Sequence, residues 1–207
     1  MFTPVPFSDH PDRQEHVESV VLLDEDGYAS GTADKAAVHH ARTPLHLAFS
    51  CYLFNEAGQF LLTRRAESKG TFPGVWTNTC CGHPLPGEPL PGSVLRRLRD
   101  ELGIGAAKLT LVLPRFRYQA RMANGVLENE LCPVYAAYAD LPPQPHPGEV
   151  AEARWVDWDE FRGAVRSGRQ PVSPWCEMQL TELAALGPRP LDWVPADAAH
   201  LPPAALS

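Results

Sequence analysis

An α+β layered domain is the fold class that this 207-residue chain predicts, on three observations. Runs with strand periodicity dominate, and two or three short amphipathic segments with helix caps stand among them. Proline is the third: 22 residues, roughly twice the usual ~5 %, which disfavours a helix bundle. The expected organisation is an N-terminal arm (1–16), one compact domain (17–186) and a loosely packed Pro/Ala-rich C-terminal tail (187–207).

VESVVLL, from Val17, reads as a strand turned by Asp24 to Gly27. LHLAFSCYLF (45–54) reads as the next, with Leu45, Leu47, Phe49, Cys51 and Leu53 on one face and His46 on the other. Asn55 to Gly58 form a turn into QFLLTRR (59–65), and VWTNTCC (75–81) is a further strand. SVLRRLRDELG forms a helix with Val94, Leu95, Leu98 and Leu102 in one stripe and Gly103 as its C-terminal cap. LTLVLPRFRY, VLENELCPVYAAYA and ARWVDW continue the strand pattern. Asp157 with Glu160 suits the start of a short helix, and Ser173-Pro174 starts another that carries Trp175.

Charge and composition exclude several classes. The net charge of −7 argues against non-specific nucleic-acid binding, and no apolar run approaches the ~18 residues of a membrane span. The N-terminal stretch has no apolar core of a secretory leader. Five cysteines, odd in number and without a C-x-x-C spacing, suit free thiols in a reducing cytoplasm. Cys80 and Cys81 point to opposite faces of their strand.

The segment Gly82 to Ile104 can be laid on the Nudix pattern, a glycine loop and helix whose glutamates bind divalent metal for diphosphate hydrolysis. Gly82, Glu88, Arg96, Glu101, Gly103 and Ile104 stand in place. Arg97 stands where the family has its first helical glutamate, and Asp100 replaces the second. An arginine there repels metal but binds phosphate oxygens well, so the helix resembles a Nudix helix retuned to hold a diphosphate intact.

Cys81 is followed two residues later by His83. Glu128 and Glu130 share one strand face, turned either to a cavity or to solvent, and His39 and His46 lie seven apart. Imidazoles with carboxylates are the donors that a site for Mn²⁺, Mg²⁺ or Zn²⁺ requires. Singly, each residue has an ordinary explanation in the core or on a solvated surface.

Together with H-L-A-F-S (46–50), T-R-R-A-x-S-K (63–69), P-G-V-W-T-N-T-C-C-G-H-P (73–84), F-R-Y (116–118), E-N-E-x-C-P-V (128–134) and S-P-W (173–175), they resemble the type I isopentenyl-diphosphate isomerases. The resemblance covers about Val17 to Leu186. It implies a Nudix-like fold of mixed β-sheets flanked by helices. It also implies an isomerase interconverting isopentenyl and dimethylallyl diphosphate through a tertiary carbocation. A Nudix diphosphate hydrolase and a metal-stabilised binding module are the alternatives.

By the same resemblance Cys81 and Glu130 are the acid/base groups, and Tyr118 and Trp175 are aromatic pocket residues. Lys35, Arg65, Lys69 and Arg97 bind the diphosphate. His39, His46, His83, Glu128 and Glu130 hold one divalent metal (Mn²⁺, Mg²⁺ or Zn²⁺), and Glu101 holds a Mg²⁺ that also meets the diphosphate. The expected partner is this small-molecule isoprenoid diphosphate, with no nucleic acid or membrane, for a monomer or weak homodimer. Asn124-Gly125 read as a two-residue hairpin turn would pair Gln119 with Glu130 and aim Tyr118 away from Glu128 and Glu130. A longer loop is the expected resolution, ahead of a bulge or of a Tyr118 outside the site.

Overall fold

The computed structural model describes residues 18–206, so the N-terminal arm lies outside the described residues. Two mixed sheets carry the fold. The first comprises β1 (Ser19–Leu23), β2 (Ala29–Asp34), β3 (His46–Leu47), β9 (Arg117–Arg121) and β10 (Leu127–Leu131), in the order β2-β1-β3-β10-β9. The second is built on β4 (Phe49–Phe54), β5 (Phe60–Arg65), β8 (Lys108–Leu113), β11 (Val134–Tyr138) and β12 (Val150–Val156). Its order is β12-β5-β4-β11-β8, with β6 (Trp76–Thr77) on β5 and β7 (Cys80–Gly82) on β4. A one-turn helix α1 (Lys35–Val38) follows β2, and α2 (Leu90–Leu102), α3 (Trp158–Arg166) and α4 (Pro174–Leu183) pack on the sheets.

Two of the expected long strands each serve both sheets. The run 45–54 divides into β3 and β4, and the run 126–139 into β10 and β11, and the two runs lie parallel throughout. The crossing falls at Ala48 and Cys132-Pro133, where Ala48 N donates to Leu131 O and Ser50 N to Pro133 O. Proline cannot donate to a ladder, so Pro133 marks the place where one sheet hands over to the other. The alternation along β4 survives the division. Phe49, Cys51 and Leu53 pack with Val94, Leu98 and Leu102 of α2, whereas Tyr52 and Phe54 pack with residues of α3 and α4.

The helix signals hold at their ends. Gly103 closes α2 with a left-handed φ of 69°, and the Asp157 and Ser173 side chains accept from Glu160 N and Cys176 N. Between β9 and β10 the loop has three residues: Met122 N donates to Val126 O, and Gly125 takes φ 90°. The longer loop therefore shifts the register by one residue and places Tyr118 opposite Glu130. The strand expected over 75–81 is two short strands separated by Asn78 and Thr79. Neither β2 nor α1 carries an apolar period, since β2 is almost wholly exposed.

The expectation of a loosely packed tail is corrected. Trp193 and Leu201 are buried in the two main apolar clusters, Ala196 N donates to Leu111 O, and Ala204 N donates to Gly27 O. Widely spaced apolar anchors among prolines, without helix or strand period, hold this segment down. Trp193→Ala is expected to destabilise the fold by about 3–5 kcal/mol, as aromatic truncations in cores do, measurable by denaturant unfolding. Among the described residues no helix is long and apolar enough to cross a membrane.

Candidate active site

A cavity of about 640 Å³ opens where β7, β10 and the start of α4 converge, and eleven of the thirteen expected site residues line it. The two that do not are His46, wholly buried behind it, and Glu101.

Three imidazoles from three elements meet at one end. His39 ends α1, His46 lies on β3 and His83 follows β7, with ring centroids 5.2, 5.8 and 5.1 Å apart. The parallel β3–β10 register sets His46 beside Glu130, whose Oε1 lies 3.6 Å from His46 Nε2 and 3.2 Å from His83 Nε2. Glu128 Oε2 lies 3.2 Å from His39 Nε2. His46 Nδ1–H donates to Pro44 O at 3.0 Å, which turns Nε2 toward the cluster. Neighbouring His40 is exposed and takes no part.

The cluster fits a cation. His39 Nε2, His46 Nε2, His83 Nδ1 and Glu128 Oε2 are buried without a hydrogen-bond partner. One donor atom from each of His39, His46, His83 and Glu130 lies within 4.8 Å of the others. Such orphaned donors are costly unless something binds them. Burial disfavours the charge of Glu130, but His46 and His83 outweigh it and hold the carboxyl well below its usual range.

The middle of the cavity joins Cys81, Tyr118, Glu130 and Trp175. Tyr118 OH donates to Glu130 Oε2 at 2.8 Å, and its ring lies 5.7 Å from that of Trp175. Cys81 Sγ is the one partly exposed thiol of the five, whereas Cys80 points into the apolar cluster with Cys51. Burial pushes the Cys81 thiol up to about 11, against hydrogen bonds from Ser50 and Asn78. Asn78 reaches both the thiol and the ring: Nδ2 lies 3.2 Å from Cys81 Sγ, and Oδ1 accepts from Trp175 Nε1 at 3.0 Å.

The expected cations are all present, and each is already engaged. Arg97 pairs with Glu101 at 2.7 Å and Glu149 at 3.0 Å, Lys69 pairs with Glu149, and Lys35 pairs with Glu18. The Arg65 guanidinium donates to Thr71 O and Phe72 O and lies 5.6 Å from the centre of the Trp175 ring. Burial opposes the charge of Glu149, but Arg97 and Lys69 keep its carboxyl below the usual range. Burial raises the Glu101 carboxyl, with Arg97 opposing. Gly82 lets α2 approach, since a Cβ there would lie 2.9 Å from Arg97 Cγ. Glu18 and Glu149 escape sequence reasoning because their partners lie 17 to 80 residues away.

Two neighbouring arginines, Arg64 and Arg96, also find carboxylate partners. Arg64 pairs with Glu67 and Glu152. Arg96 grips Glu88 at 2.7–2.8 Å and His83 O at 3.2 Å, bracing the loop before α2. Arg96 lowers the Glu88 carboxyl from 4.5 to about 2. The pair therefore stabilises the fold above about pH 4.5, and the effect is lost as pH falls through about 2. The stability advantage of wild type over Glu88→Gln is expected to follow that course in unfolding measured against pH.

Residues 44–176 match the family model for the NUDIX domain. A protein of Saccharopolyspora erythraea named isopentenyl-diphosphate Delta-isomerase is 57 % identical over 190 residues, 92 % of this chain and 98 % of that protein. One of the same name from Mycolicibacterium vanbaalenii is 57 % identical over 82 % of this chain and 93 % of its own. Among solved structures, DR0079 from Deinococcus radiodurans has a TM-score of 0.62 at 19 % identity, covering 80 % of this chain and 98 % of its own. The MutT protein of Methanosarcina mazei Go1 has a TM-score of 0.54 at 22 % identity, covering 68 % of this chain and 92 % of its own. The likenesses to these two solved structures speak for the fold alone.

Proposed function

From the premise that the chain belongs to the NUDIX family and, within it, to the isopentenyl-diphosphate Delta-isomerases, we propose that it interconverts isopentenyl and dimethylallyl diphosphate. The observation that carries this reading is the convergence of a thiol, a carboxylate and two aromatic rings on one cavity flanked by cations. A hydrolase is disfavoured by Arg97, which occupies the helix position where a metal-binding glutamate would stand and pairs with Glu101 instead.

The reaction adds a proton to the terminal methylene, giving a tertiary cation, and removes one from the carbon next to the oxygen-bearing carbon. Protons balance, so one group gives and one takes. Cys81 and Glu130 divide that work, and general acid–base catalysis is worth about 10²–10⁴-fold. Tyr118 orients the Glu130 carboxyl by its hydrogen bond. The Trp175 face stabilises the cation by about 2 kcal/mol where water is excluded. Lys35, Arg65, Lys69 and Arg97 grip the diphosphate, and their present carboxylate and carbonyl partners keep them ordered before it arrives.

His39, His46, His83, Glu128 and Glu130 would hold one divalent cation, Mn²⁺, Mg²⁺ or Zn²⁺, and Glu101 would meet the Mg²⁺ that accompanies the diphosphate. A cation at the histidine end would supply positive charge that polarises the Glu130 carboxyl. We assign residues 17–186 to the catalytic unit, braced by the C-terminal segment. The five free thiols suit the cytoplasm, and a monomer or weak homodimer acting on a small molecule suffices.

Incubation of the full chain with isopentenyl diphosphate and Mg²⁺, followed by product analysis, tests the reading. Allylic diphosphate is the expected product. Free phosphate would support a hydrolase, and unchanged substrate a binding module.

A further inference from the structure

Behind Cys81 runs a polar chain that neither the cation cluster nor the diphosphate cations use. Ser50, Tyr52 and Gln179 are all 0 % exposed. Tyr52 OH donates to Gln179 Oε1 at 3.0 Å, and Gln179 Nε2 donates to Ser50 Oγ at 2.9 Å. Ser50 Oγ in turn lies 3.4 Å from Cys81 Sγ and 3.4 Å from Cys132 Sγ.

Counting donors gives the chain a direction. Tyr52 has one proton, and the amide oxygen at 3.0 Å is a better acceptor than Cys176 Sγ at 3.5 Å. With Oε1 occupied, the amide nitrogen faces Ser50. The serine oxygen accepts there, and its only proton is left for sulfur. Of the two sulfurs, Cys132 is buried and Cys81 lines the cavity.

Stability does not account for such a chain. Replacing both members of a buried polar pair by apolar groups is often neutral or stabilising, whereas each polar group risks being left unpaired. Position suggests the use. Ser50 is the cross-strand partner of Cys81 in the β4–β7 ladder, and Gln179 lies one turn along α4 from Trp175. One helix face thus delivers both the aromatic ring and the amide.

On the isomerase reading, we propose that Gln179 and Ser50 are positioning residues that aim the Cys81 sulfur into the cavity, with Tyr52 setting the direction of the hydrogen bonds. None of the three lines the cavity, so they act through the thiol. Asn78 also holds this sulfur, with Nδ2 at 3.2 Å and with Oδ1, 3.3 Å away, placed to accept the thiol proton.

The test uses Ser50→Ala, Gln179→Leu, their double variant and Tyr52→Phe, each in the full chain. In the first three, kcat for isopentenyl diphosphate is expected to fall on the order of ten- to a hundredfold, the scale of misplaced catalytic groups. KM should stay within about twofold, because the groups proposed to bind the diphosphate are untouched. Tyr52→Phe should show a smaller change of the same kind. Infrared difference spectra against Cys81→Ala isolate the Cys81 S–H stretch, which should move in every variant.

The double variant combined with Tyr52→Phe swaps the whole polar chain for apolar side chains and leaves no buried phenol unpaired. It should melt no lower than wild type, separating positioning from damage to the fold. Unchanged kcat, a loss confined to KM, or an unmoved S–H band would overturn the proposal. Wild type that makes no allylic product would instead refute the isomerase reading, and the S–H band would still decide whether the chain orients the thiol.

Discussion

Cys81→Ala and Glu130→Gln are each expected to lower isomerisation by about 10²–10⁴-fold while the protein stays folded. Both side chains line the cavity, and neither substitution opens a large hole. Glutamine keeps an acceptor for Tyr118 OH but cannot take up or release a proton as a carboxyl does. Alanine at 81 leaves Ser50 and Asn78 with their other partners. The control is Cys80→Ala, one residue away. Its thiol points into the apolar cluster with Cys51 and Leu98, so melting temperature should fall while turnover per folded molecule holds. Steady-state kinetics on the three variants decides the matter. Wild-type turnover in Cys81→Ala or Glu130→Gln would sink the acid/base assignment, and an essential Cys80 would sink the strand register.

Stripping divalent cations should abolish turnover and lower the melting temperature together. The cluster of three imidazoles with Glu128 and Glu130 leaves four buried polar atoms without hydrogen bonds, an arrangement whose cost a bound cation removes. A ligand at a hundred times its Kd stabilises by about 2.7 kcal/mol. For a chain of this size that corresponds to roughly 5–10 °C. Thermal melts with chelator, then with Mn²⁺, Zn²⁺ or Mg²⁺ restored, measure the shift. His46→Gln keeps much of the volume but removes the imidazole that Pro44 orients, and should lose most of the cation-dependent shift. A melting temperature indifferent to every cation, in wild type as in His46→Gln, would remove the metal-centre reading.

Much of this site is legible along the chain because its parts are local. Glu128 and Glu130 face one way because strand side chains alternate, and the same rule separates Cys81 from Cys80. Trp175 enters the cavity on a helix that Ser173-Pro174 starts. A one-residue change of loop length was enough to reverse Tyr118, and a strand and turn pattern alone could not choose between the two registers. The polar chain behind Cys81 left one trace in the sequence, a glutamine on the buried face of an otherwise apolar helix turn. Its partners, Ser50 and Tyr52, lie 127 to 129 residues away.

What the sequence by itself determined are most of the strands, the three longer helices and the inventory of chemical groups, because periodicity, capping and residue chemistry act over a few residues. Tertiary structure alone decided how those pieces are shared. It divided two long strands between two sheets at Ala48 and Pro133, paired Arg97 and Lys69 with Glu149, and anchored the C-terminal segment through Trp193 and Leu201. Those outcomes depend on which distant surfaces meet and which buried charges find partners. They follow from the free energy of the whole packed chain, in which a carboxylate or a tryptophan has a definite role only once its neighbours are in place.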